Sequence, residues 1–124
     1  MTGKKSRLKA YRRGRWAELI AAIWLVLKGY RLVARSYRTA SGEIDLIVRK
    51  GRLIVFVEVK ARTSLDIAQT AINHRQQQRI RQAAAVFLQR NRKLSSHDCR
   101  FDAILIAPKH WPRHIRDAWR ESSG

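Results

Sequence analysis

The stretch Gly42-Glu43-Ile44-Asp45-Leu46-Ile47-Val48-Arg49-Lys50-Gly51-Arg52-Leu53-Ile54-Val55-Phe56-Val57-Glu58-Val59-Lys60-Ala61-Arg62 reads as two strands, about 43–49 and 53–61, joined at the turn signal Lys50-Gly51. Side chains alternate along a strand, so Ile54, Phe56, Glu58, Lys60 and Arg62 share one face while Val55, Val57, Val59 and Ala61 share the other. A strand this apolar on both faces is central in its sheet, and Glu58 and Lys60 stand together at its end. Asp45 occupies a similar apolar setting on the neighbouring strand.

Two carboxylates brought together in a partly buried site repel, and burial raises the cost of ionising either. A bound cation reverses that balance, and carboxylate oxygens suit Mg²⁺ or Mn²⁺. Beside such a metal, Lys60 would stabilise a phosphate under attack or orient the attacking water. A lone Glu-x-Lys in a strand is more often one half of a salt bridge, here with one of the many arginines. The second acid in an apolar strand shifts the balance toward a metal site at Asp45 and Glu58.

A strand at about 30–38 precedes the turn Ser41-Gly42, which makes an antiparallel meander of three. Before it, residues 15–28 form a helix ended by Gly29. That helix is apolar almost all round and is expected to be covered on more than one side. Glu18 lies one turn inside it. Either it faces the positive helix N-terminus or it is a third carboxylate for the metal, and the residues alone leave the two even. Downstream, 71–92 reads as a helix with Ile80, Ala84, Phe87 and Leu88 on one face and Arg75, Gln78 and Arg79 flanking them. Residues 100–107 are apolar on both faces, as in an inner strand joined in parallel by a helical crossover, and Pro108 stops them. A short helix with Ile115 and Trp119 four apart is expected near the end. The order α-β-β-β-α-β predicts an α/β fold whose mixed four-stranded sheet is flanked by helices.

With 124 residues, 45% of them hydrophobic, the chain suffices for one core and is too apolar for a disordered protein. Twenty-seven Lys and Arg against nine Asp and Glu give a net charge of +18. Self-repulsion of that size costs folding energy and points to a polyanionic partner, most simply a nucleic-acid backbone. A ribosome-bound or merely soluble basic protein is the competing class. Residues 1–13, rich in Lys and Arg, are expected to be a flexible basic arm, 14–120 the domain, and 121–124 a short tail.

The apolar run Trp16–Leu27 follows that arm as in a signal peptide, but Glu18 interrupts it and no small-residue cleavage site follows. It is also shorter than the ~20 residues of a membrane span, so no membrane partner is expected. The single Cys99 excludes an internal disulfide, lacks zinc-site companions and reads as a small buried apolar residue, in keeping with a reducing cytoplasm.

Gly14-Arg15-Trp16-Ala17-Glu18, Gly29-Tyr30, Gly42-Glu43-Ile44-Asp45-Leu46-Ile47, Val57-Glu58-Val59-Lys60-Ala61-Arg62 and Arg100-Phe101-Asp102 occur in an order that resembles the YraN-like family. These are small bacterial proteins similar to archaeal Holliday-junction resolvases, within the PD-(D/E)XK nuclease superfamily. The resemblance covers roughly residues 12–119. It implies a restriction-endonuclease-like αβββαβ core, Asp45 and Glu58 as metal ligands, Lys60 as the catalytic lysine and Glu18 as the helix-borne acid. Ile44 replaces the proline of the superfamily motif, and Gln76 stands where a lysine would be expected. By analogy with resolvases a homodimer is also implied.

Among other polar residues, Glu43 suits an ion pair with Arg35 or Arg38, and Asp102 suits anchoring a turn or pairing with Arg100. His110 and His114 are four apart but separated by Pro112, and both are expected to be exposed. Trp111 and Trp119 suit closing the core or a dimer contact better than base stacking. The expected function is Mg²⁺- or Mn²⁺-dependent endonucleolytic cleavage of DNA, branched or otherwise structured. Arg12, Arg13, Arg15, Arg62, Arg75 and Arg79 would hold the backbone without reading sequence. The alternative is a non-catalytic protein of the same fold that binds DNA or ribosomal RNA.

Overall fold

The computed structural model describes residues 2–62 and 72–119, with side chains from Gly14 onward. Helix α1 spans Thr2–Leu27, β1 Arg31–Arg38, β2 Glu43–Lys50, β3 Leu53–Ala61, α2 His74–Arg90, β4 Asp98–Ile106 and β5 Arg113–Ile115, with a 3₁₀ turn at Arg92–Leu94. The expected α/β architecture is present, with one more strand than expected. The sheet runs in the order β1-β2-β3-β4-β5. β1, β2 and β3 are antiparallel, β3 and β4 pair in parallel from Leu53↔Asp98 to Ala61↔Ile106, and β5 is antiparallel to β4. The fifth strand stands where a short helix was expected. A three-residue strand carries little periodicity of its own, and pairing with β4 decides its conformation.

Helix α1 begins at Thr2, not near residue 15. The basic segment expected to form a separate arm is the helix's first half. Lys, Arg and Ala are strong helix formers, so a helix nucleated by the packed half extends back through them. At the other end Gly29 adopts φ +96°. The Tyr30 N–H reaches the Leu25 carbonyl and the Gly29 N–H that of Val26, both at 3.0 Å, which closes the helix in a Schellman motif.

The sheet separates two cores. Ala21, Ala22 and Leu25 of α1 pack with Leu46, Val48, Val55, Val57 and Ile104 on one face. Ile80, Ala83, Ala84 and Phe87 of α2 pack with Ile44, Ile47, Ile54 and Phe56 on the other. The alanines let α1 lie close to the sheet, but only that face of it is covered. Trp16, Ile20, Ile23, Val26 and Leu27 are exposed, contrary to the expectation of cover on more than one side. Helix α2 is capped by Asn73, whose side chain accepts the Gln76 N–H at 2.8 Å. A Cβ on Gly42 would run into the Arg79 carbonyl oxygen, so this glycine lets α2 lie directly against the start of β2.

Candidate active site

The ladder between β2 and β3 runs from Lys50↔Leu53 to Leu46↔Val57 and stops there. The Val59 N–H donates instead to Oδ2 of Asp45 at 2.8 Å. The strands part at this point while β3 continues in register with β4, Glu58 opposite Ala103 and Lys60 opposite Leu105. Asp45 and Glu58, thirteen positions apart in the chain, become neighbours close enough for each carboxyl to shift the other's titration.

Burial is the main reason why both carboxyls are raised, Asp45 to about 6 and Glu58 to about 8. For Asp45 the bond from Val59 offsets part of that rise, and the charge of Glu18 adds to it. For Glu58 the neighbouring Asp45 adds to the rise and Lys60 offsets part. Among the described residues neither Asp45 nor Glu58 is ion-paired to an arginine, which is what the salt-bridge alternative required.

Gln76, on α2, links the two ends of the Glu-x-Lys motif. Its Nε2 donates to Oε1 of Glu58 at 2.6 Å, and its Oε1 accepts from Nζ of Lys60 at 3.1 Å. The position that departs from the expected lysine therefore joins the cluster through a side chain able to donate and accept at once. From the α1 side, Glu18 acts electrostatically on Asp45 and accepts the Ser36 hydroxyl at 3.2 Å. Ser36 lies on β1 between the pairs Arg35↔Leu46 and Tyr37↔Ile44, hence across from Asp45, and has φ 49°. Neither Ser36 nor Gln76 was among the expected site residues. The serine's only local sign is its backbone conformation, which no residue pattern encodes.

The arginines are more scattered. Arg79 borders a cavity of about 90 Å³ with Glu43, Glu58, Gln76 and Ile80. Arg75 is exposed on the same helix. Arg62 lines a larger cavity beyond the end of β3, and Arg15 one beside α1. The side chains of Arg12 and Arg13 and the tail 121–124 lie outside the described residues.

Among the described residues no three or more His, Cys, Asp or Glu side chains form a ready-made metal cage. The carboxylate pair nevertheless suits Mg²⁺, which is commonly held by one or two carboxylates with its other positions left to water and phosphate.

A second polar cluster lies at the far side of β3. Asp102 is fully buried on β4 and takes bonds from Arg100 Nε and NH2 at 2.8 Å, His114 Nε2 at 2.6 Å and the Asp117 N–H at 2.9 Å. Burial alone would raise this carboxyl, but the bonds from His114, Arg100 and Asp117 outweigh it and hold it below the usual range. Arg100 also donates to the Tyr30 hydroxyl at 2.9 Å, and Lys28 Nζ to His114 Nδ1 at 2.7 Å. The Asp102–Arg100 pair is as expected. The His114 side chain, expected to be exposed, is only 3% exposed, because pairing of β5 with β4 turns it inward. Cys99, expected to be buried, is exposed near the start of β4. Trp119 closes the core, Trp111 is 80% exposed against Trp24, and Glu43 pairs with Arg38 at 3.4 Å.

The fold and the cluster define a mixed α/β protein with a partly buried acid pair where its central strands part. Residues 17–106 match the family described as "Uncharacterised protein family UPF0102". A UPF0102 protein of Parvibaculum lavamentivorans is 53% identical over 113 residues, covering 91% of this chain and 85% of the relative. One of Mesorhizobium japonicum is 51% identical over 114 residues, covering 92% and 91%. The chain belongs to the UPF0102 family, the YraN-like group that its motifs resemble. Among the described residues no helix is long and apolar enough to cross a membrane.

Proposed function

We propose that this protein is a metal-dependent endonuclease that hydrolyses phosphodiester bonds in DNA. The observation that carries the proposal is the pairing of half-buried Asp45 with buried Glu58, with Lys60 tied to Glu58 through Gln76. Two acids forced together and held partly protonated are a poor structural solution and a good cation site. Asp45 and Glu58 would hold Mg²⁺ or Mn²⁺, which supplies positive charge at the phosphate and a more acidic bound water.

The protein's own groups do the rest. Lys60 stabilises charge on the phosphate oxygens or orients the water, and Gln76 fixes its ammonium relative to Glu58. Glu18 supports the acid pair from α1. Arg79, beside Glu58, and the exposed Arg75 suit the flanking phosphates, and the net charge of +18 draws the backbone in from a distance.

The test is incubation of the purified protein with linear and four-way-branched DNA in Mg²⁺ or Mn²⁺. Cleavage is expected from the wild type and a loss of roughly 100-fold or more from Asp45→Ala and Lys60→Ala. Absence of cleavage, or equal cleavage by those variants, contradicts the proposal. Steeply salt-dependent binding indifferent to both substitutions and to metal would indicate a non-catalytic binder, and a preference for RNA in competition would indicate ribosomal RNA.

A further inference from the structure

A cavity of about 540 Å³ opens beyond the carboxyl ends of the parallel strands β3 and β4, lined there by Ala61, Arg62, Ile106 and Ala107. Ligands of open α/β sheets bind at that end of the strands. Trp16 and Ile20 of α1 add apolar wall, and Lys109 adds a second cation. Arg62 follows Lys60 by two strand residues, on the order of 7 Å at ~3.3 Å each. Trp16 also borders a second cavity of about 330 Å³ with Arg15, Leu19 and Arg35. A large aromatic ring, 65% exposed, thus stands between two hollows that each carry basic groups.

We infer that the larger cavity receives one unpaired nucleobase of the substrate, stacked on Trp16, with its phosphate at Arg62 and Lys109. This rests on the proposed nuclease function and narrows its substrate to nucleic acid with an unstacked base beside the scissile phosphate. The volume lies within the ~300–1,000 Å³ of small-ligand sites. Apolar walls and an aromatic face suit the π-surface of any base and give affinity without sequence preference. A base inside a continuous duplex is stacked and paired, and enters only after both are undone. A second copy of the chain is the worse occupant of this apolar surface, because two molecules each at +18 repel whereas an oligonucleotide brings compensating phosphates.

The test is fluorescence polarisation in EDTA, where turnover plays no part, with three DNA probes. One is a duplex with a single-nucleotide flap, the second has that nucleotide abasic, and the third is a continuous duplex. Removing the flap base is expected to weaken wild-type binding roughly 5–150-fold, the range of base–aromatic stacking. Trp16→Ala should abolish that difference, Trp16→Phe should keep most of it, and the continuous duplex should bind all three proteins alike. No effect of the flap base, or the same effect in Trp16→Ala, overturns the inference. So does a Trp16→Ala change that converts a dimer to a monomer in light scattering with the base preference intact. Cleavage that needs Asp45 but ignores the flap base would sink the pocket and leave the nuclease standing. A base preference lost in Trp16→Ala, without cleavage in Mg²⁺, would leave the pocket and sink the nuclease.

Discussion

The Asp45 carboxylate accepts the backbone N–H of Val59 at 2.8 Å, just past the last paired residues of β2 and β3. Val59 lies between Glu58 and Lys60, so one hydrogen bond ties the acid of one strand to the centre of the Glu-x-Lys motif on the next. Because a side chain holds the strands here, they part without leaving that amide of β3 unsatisfied. The gap so formed is approached by Glu18 from the α1 face and by Gln76 from the α2 face.

Gln76→Ala should lower activity roughly 10–100-fold, the usual cost of losing a group that orients metal ligands. The melting temperature should change little, since the side chain lies at the rim of the core. Steady-state kinetics beside thermal melts measures both. Unchanged kinetics would reduce Gln76 to a surface contact.

The acid pair makes stability depend on pH in a particular direction. Well below pH 4 both carboxyls are protonated whether the chain is folded or not. Above that, the unfolded chain releases protons that the folded pair retains up to about 6 and about 8. The folded state then binds more protons, so the pair's contribution falls as pH rises and levels off above about 8. Melts in EDTA from pH 4 to 9 should show wild type losing stability relative to Asp45→Asn across that window. Mg²⁺ should restore wild type alone, by about 2.7 kcal/mol at a hundredfold excess over Kd. Parallel pH curves for the two proteins would contradict the pairing.

Gly42→Ala should destabilise the protein by about 1–3 kcal/mol through overpacking, because the added carbon meets the Arg79 carbonyl. It should also reduce activity, since α2 must shift and α2 carries Gln76. Gly14→Ala, where a Cβ meets nothing within 4 Å, is the matched control and should be neutral or stabilising. Urea titrations of both variants give the comparison.

Asp102→Ala should cost about 3–5 kcal/mol, as expected when one member of a buried charged network is removed and its partners remain. The wild-type contribution is present above the ordinary carboxylate pKa and is lost as pH falls through the lowered folded value. At neutral pH and low temperature, the folded fraction of the variant should retain its acid-pair chemistry, because this cluster serves the fold. Loss of stability without loss of specific activity separates the two clusters.

The strands carrying Asp45, Glu58 and Lys60 were legible because alternation and turn residues are local signals, and their ends agree within a residue. Helix α1 was half legible. Its apolar turns announced themselves, while its basic turns looked like an arm because charge was weighed above helix propensity. Residues whose positions arise only from assembly were not legible. Gln76 reaches Glu58 and Lys60 across the sheet face, His114 is turned inward by a strand that exists through pairing, and Ser36 faces Glu18 through a left-handed backbone. Cys99 misled because its strand is apolar only beyond Phe101, nearer the core.

The most direct measurement is an anomalous difference map from a crystal grown with Mn²⁺ near pH 8, with wild type and Glu58→Gln treated alike. One strong peak between Asp45 and Glu58 is expected in wild type, with both carboxylates ligating it, and no peak in the variant. A well-ordered wild-type crystal in millimolar Mn²⁺, with no peak at Asp45 and Glu58 and the only peaks elsewhere, would contradict the metal site.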